Sequence, residues 1–146
     1  MFQRLLRCSV ALMIALTLSF NSHAAGLKNK AKVDMVSQHF MDQVLKGNVK
    51  DAYAVMSAYV GIDLEAFNER GTQIATNMAK LSENIGAPLS YALVKQQEVE
   101  GHFYKLTYLL KYRSAALLWE LNYYQPDDGW YLVDISFNTN INRLFE

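Results

Sequence analysis

The sequence predicts an α+β fold in which three N-terminal helices pack on the concave face of a curved, mainly antiparallel four-stranded sheet. Two patterns carry this expectation. Apolar residues recur three and four apart through residues 32–85, and at every second position through residues 104–137. The first spacing is that of one helix face, the second that of one strand face. Helices gathered before strands, rather than alternating with them, mark the α+β class.

The chain opens with Arg4 and Arg7, an uncharged and largely apolar run over residues 8–18, and small residues at Ser22 and Ala24. A positive start, an apolar stretch too short to span a bilayer and a small-residue site predict a secretory signal peptide over residues 1–24. Export to the periplasm or the exterior follows, with no membrane span left after cleavage. Cys8 has Leu6 and Arg7 before it and no small residue next to it, so it does not read as a lipid attachment site. It is also the only cysteine, and a chain without it has no disulfide, thiol nucleophile or Cys-based metal site.

Cleavage leaves fourteen acidic residues against twelve basic ones, a near-neutral chain with no basic face for nucleic acid. Lys28, Lys30 and Lys32 cluster at the new N-terminus, where residues 25–31 form a flexible tail ahead of a single domain over residues 32–146.

Val33, Val36, Phe40 and Val44 stripe a first helix over residues 32–46, and Gly47 ends it. Asn48, with Asp51 three residues on, reads as the cap of a second helix that buries Val49, Ala52, Tyr53, Met56 and Val60. After Gly61, Asp63 caps a longer helix with Glu65 in its first turn, where negative charge favours the helix dipole. Its stripe is Leu64, Phe67, Gly71, Ile74, Met78, Leu81 and Ile85, and Gly86 and Pro88 stop it.

Residues 89–99 form a polar first strand suited to an edge. In the next, Tyr104, Leu106, Tyr108, Leu110 and Tyr112 share a face, and in the third Ala115, Leu117, Trp119, Leu121 and Tyr123 do. The fourth alternates Tyr131, Val133, Ile135 and Phe137 with Trp130, Leu132, Asp134 and Ser136. The turns are Gly101, the bend at Arg113 and Ser114, and Pro126-Asp127-Asp128-Gly129. The tail after residue 138 turns back and docks Ile141, Leu144 and Phe145.

The concave face is therefore rich in aromatic residues, and Tyr53, Tyr104, Tyr108, Trp119, Tyr123, Tyr131 and Phe137 are the candidate ligand-pocket set. The opposite face mixes charge with Phe103, Leu109, Leu118, Trp130 and Leu132, the composition of a homodimer contact. Glu120 and Asp134, the carboxylates of the strong strand runs, point away from the concave face toward Lys105 and Lys111 as ion-pair members. A slip of one residue would turn them into pocket acids. His39 and His102 have no partners at ligand spacing, so no metal site is expected, and no nucleotide or other cofactor motif is present.

Lys46-Gly47-Asn48-Val49-Lys50-Asp51-Ala52-Tyr53, Gly86-Ala87-Pro88-Leu89 and Asp128-Gly129-Trp130-Tyr131-Leu132-Val133-Asp134-Ile135 together resemble the nuclear transport factor 2-like superfamily, in particular its small exported bacterial members. The resemblance spans most of residues 30–138 and implies a cone fold, usually dimeric. It is shared by isomerases, dehydratases, transport adaptors and binding modules, so it does not choose a function. The residues themselves favour a non-catalytic exported domain that binds a small apolar or amphipathic ligand or a protein segment. The alternatives are an isomerase or lyase, with Asp134 or Glu120 as general base and Tyr108 or Tyr123 as hydrogen-bond donor, and a structural, dimerising subunit of an envelope assembly. Tyr53 and Arg70 are candidates for the mouth of the cone.

Overall fold

A computed structural model describes residues 24–146. The signal peptide expected over residues 1–24 lies, apart from Ala24, outside the described residues. Three helices, α1 (Lys30–Leu45), α2 (Val49–Met56) and α3 (Leu64–Ile85), precede four strands, β1 (Ser90–Val99), β2 (Phe103–Lys111), β3 (Ala116–Tyr124) and β4 (Tyr131–Asn138). The strands form one curved antiparallel sheet in the order β1-β2-β3-β4, so each connection is a hairpin and β1 is an edge, as its polarity predicts.

Local chemistry sets the helix ends. The Asn29 side chain accepts from the Lys32 amide at 3.0 Å, and Asp63 accepts from the amides of Glu65 and Ala66, pairing donors that a helix start leaves free. Asn48 departs from its expected capping role: its side chain makes no cap hydrogen bond and its amide donates to Gln43 instead. Gly47 and Gly86 both take positive φ where α1 and α3 stop, a conformation that costs glycine least.

One apolar core joins the stripes of all three helices to the alternate residues Tyr104, Leu106, Tyr108, Leu110, Leu117, Trp119, Leu121 and Tyr123. The expected β2 and β3 faces are thus the observed ones, and the bend at Arg113 and Ser114 preserves the register that pairs Tyr108 with Trp119. In the α3 stripe, Leu64 is the exception, lying exposed before the helix reaches the core.

Three expectations change. In β4 the pairing runs Leu121 with Ile135 and Asn122 with Asp134, then jumps to Tyr123 with Leu132 and Tyr124 with Tyr131. The extra residue is a β-bulge, and beyond it every side chain of β4 changes face. Trp130 and Leu132, expected on the outer face, are therefore in the core, while Tyr131 is outside it.

The expected N-terminal tail is likewise part of the domain. Leu27 is buried and bridges Trp130 through two backbone hydrogen bonds of 2.8 Å, and Ala25 donates to the Ala58 carbonyl. The C-terminal turn, Ile141–Leu144, packs Leu144 and Arg143 beside Leu118 and Glu120. Ile141 and Phe145, expected to dock with Leu144, are exposed, Phe145 at 85%.

Candidate functional site

Of the seven residues expected to line a pocket, the fold brings Tyr53, Tyr104, Tyr108, Trp119 and Tyr123 together on the helix-covered side of the sheet. Phe137 lies half-buried beside them, its ring 5.6 Å from Trp119. Tyr131 is not among them, because the bulge in β4 turns it to the outer face.

The protein's own side chains occupy the space between these rings. Phe40 of α1 stands edge-on to Trp119 at 5.4 Å and to Tyr53 at 5.7 Å, and Tyr53 meets Phe67 of α3 at 4.9 Å. These are ordinary aromatic packing distances, so the rings act here as core. Gly71 explains how α3 comes so near: a Cβ at that position would lie 2.6 Å from the Tyr53 ring.

The polar tips of this cluster divide into two groups. Tyr123 and Ser37 share a buried hydrogen bond of 2.6 Å. Tyr104 donates to Asp34 at 3.0 Å and accepts from Gln96, and Tyr91 donates to Asp42 at 2.6 Å. The hydroxyls of Tyr53, Tyr108 and Tyr112 and the Trp119 indole N–H are buried with no partner among the described residues. Burial raises the pKa of Tyr53, Tyr108, Tyr112 and Tyr123 above the ordinary phenol value. Tyr91 and Tyr104 are each pushed up to about 12, first by burial and then by the carboxylate that accepts their proton.

Neither candidate general base stands free. Asp134 accepts from Arg70 at 2.9 Å and from the Asn122 amide at 3.4 Å. Arg70, expected at the mouth of the cone, is thereby committed to tying α3 to β4. Glu120 is buried on the face away from the helices, 2.6 Å from Lys105 and 3.4 Å from Arg143. Lys105 is the partner its strand position implies. For Asp134 the partner comes from a helix, which strand alternation could not reveal.

The five residues expected on the outer face also separate. Phe103 is exposed and Leu109 half-buried there, Leu118 is covered beside the C-terminal turn, and Trp130 and Leu132 belong to the core. His39 and His102 are both exposed.

Open space lies on the other side of β4. A groove of about 460 Å³ is lined by Ala24, Val60, Gly61, Ile62, Tyr124, Pro126, Tyr131 and Val133. Its floor is built by the sequence around Gly61: Val60 pairs in parallel with Leu132, and the Gly61 amide donates to the Leu132 carbonyl at 3.0 Å. Tyr131 is held between Gly26 and Gly61: an added Cβ would come within 3.1 Å of its ring at Gly26 and of the Tyr131 Cβ at Gly61. Sequence reasoning missed this groove. Its one available signal was Ile62, an apolar residue between Gly61 and Asp63 that belongs to no helical stripe.

Among the described residues, no helix is long and apolar enough to cross a membrane. No protein-family model, no curated protein and no solved structure matches this chain.

Proposed function

We propose that this chain is a non-catalytic exported domain that binds an apolar or amphipathic ligand, small or part of another protein, in the groove beside β4. One contrast carries the reading: the aromatic rings facing the helices are packed against Phe40 and Phe67, whereas the groove is open and lined by Val60, Ile62, Tyr124, Pro126, Tyr131 and Val133. Its volume is within the range of small-molecule sites, and its lining pairs aliphatic walls with two phenols. Asp134 and Glu120, each held by cations, support a binding role over general-base chemistry.

A nuclear transport factor 2-like cone is the architecture we propose with it. Three helices followed by four sequential antiparallel strands, with the helices over one face, support that assignment. Export by a cleaved leader is part of the same proposal and rests on the residue pattern of positions 1–24.

Titration with an anilinonaphthalene sulfonate or with laurate, followed by backbone amide shifts, tests the site. Shifts are expected at Val60, Gly61, Ile62 and Val133, and Ile62→Asp should abolish them. Shifts centred on Tyr108, Trp119 and Tyr123 would instead place the ligand among the helices and overturn the groove assignment.

A further inference from the structure

Val99 pairs with Phe103, Phe103 with Tyr124, and Tyr124 with Tyr131. Directly paired residues of neighbouring antiparallel strands share a face. Since Tyr104 and Tyr123 are in the core, this row lies on the outer face and crosses the sheet from β1 to β4. Val99 is 60% exposed, Phe103 47% and Tyr124 38%, and the Phe103 and Tyr124 rings touch at 5.0 Å between centroids. At its β4 end the row runs into the groove, because Tyr124 and Tyr131 line both. The C-terminal turn packs over Leu118 and Glu120, and none of the row lines its contact with the sheet. The result is an apolar and aromatic strip, uncovered among the described residues over Val99, Phe103 and Tyr124 and half-covered at Tyr131 by the segment at Gly26, and such strips mark interaction surfaces.

The charge around the strip is one-sided. The β1-β2 and β3-β4 hairpins turn at the same end of the sheet, and the row is the last one before both turns. Those turns carry Glu100, Asp127 and Asp128, all exposed, and Asp63 follows Ile62 at the far side of the groove. The bases at this end are Lys28 and His102, together with Lys30 and Lys105, which Glu98 and Glu120 already hold in ion pairs. Lys111 and Arg113 sit at the opposite end, by the β2-β3 turn.

We infer that this strip docks a segment of a partner protein in which apolar side chains alternate with, or are flanked by, lysine or arginine. The inference rests on the binding reading of the groove and names its partner. Apolar side chains of the segment lie on Phe103, Tyr124 and Tyr131 and enter the groove beside Ile62, and its basic residues reach the acidic turns. Charge of this kind chooses the partner and speeds its encounter, while the buried aromatic contacts hold it.

A fluorescent peptide of alternating leucine and lysine, and a matched one of leucine and glutamate, test the inference by anisotropy on the full chain. The lysine peptide should bind, weaken as salt rises, lose about ten-fold in affinity with Phe103→Ser and several-fold with Asp127→Asn plus Asp128→Asn. These positions are exposed, so folding is retained and is checked by circular dichroism. Equal binding of both peptides, or no effect of Phe103→Ser, would overturn the inference. So would concentration-dependent self-association that Phe103→Ser removes, which would make a second copy of the chain the occupant. Binding of the sulfonate probe with neither peptide bound overturns the partner and leaves the groove reading intact; no binding of probe or peptide overturns both.

Discussion

The hydroxyls of Ser37 and Tyr123 lie 2.6 Å apart and join the middle of α1 to the end of β3 inside the core. Each satisfies the other, so removing one is worse than removing both. Ser37→Ala leaves a buried phenol without a partner and should cost about 1–3 kcal/mol. Tyr123→Phe should cost less, since Ser37 can turn to a carbonyl one turn back along its own helix. In urea unfolding, the double variant should be more stable than the sum of the two losses implies.

Gly71 faces the buried Tyr53 ring at a distance that leaves no room for a methyl group. Alanine there gains about 1 kcal/mol in helix propensity. Overpacking a close-packed site costs about 1–3 kcal/mol, and Tyr53 cannot retreat because Phe40 and Phe67 hold its other sides. Packing should win, so Gly71→Ala is expected to lower the thermal midpoint. The control is Thr72→Ala, at an exposed position of the same helix. A rise in the midpoint for Gly71→Ala would show that the Tyr53 contact is loose.

Alkaline pH should unfold this protein cooperatively. The unfolded chain loses its phenolic protons near pH ~10. In the folded chain Tyr91 and Tyr104 hold theirs to about 12, and burial also raises Tyr53, Tyr108, Tyr112 and Tyr123. A raised folded pKa means that the stabilising contribution is complete below the unfolded value and is lost as pH rises through the folded one. Tyrosinate absorbance from these residues should therefore appear together with loss of secondary structure. Their titration near pH ~10 with the fold intact would contradict the packed phenol cluster.

The two candidate acids should respond differently to neutralisation. Arg70 and Asp134 form a pair open to solvent, and Asp134→Asn should change stability by less than about 1 kcal/mol. Glu120 is 6% exposed between Lys105 and Arg143. Lys105→Met leaves that carboxylate with only the longer Arg143 contact and should cost about 1–3 kcal/mol, limited by the solvent access of both cations. Chemical unfolding of the two variants side by side reads the difference.

The strand patterns of β2 and β3 were legible because each puts large apolar residues on one face and Lys105, Thr107, Glu120 or Asn122 on the other. β4 was not. Trp130 and Leu132 compete with Tyr131 and Val133 for the same core, and both sets are apolar, so alternation alone could not choose. The bulge between these positions and Ile135 decides it by reversing faces partway along the strand. Leu118 lies on the outer face as its alternation predicts, but the C-terminal turn that covers it comes from a segment distant in sequence, so its burial was not legible in the strand itself.

By itself, the sequence determined the α+β class, the order of helices and strands, the positive-φ glycines Gly47, Gly86 and Gly101 that end two helices and turn one hairpin, and the aromatic character of the core. Those follow from periodicity and local backbone preference, which act over a few residues. Tertiary structure alone decided that the aromatic concavity is packed by Phe40, that Leu27 and Val60 close the outer edge of β4, and that open space lies beside Ile62. Whether rings enclose a cavity or fill it depends on how side chains from distant segments interlock, a property of volumes in three dimensions that residue types do not carry.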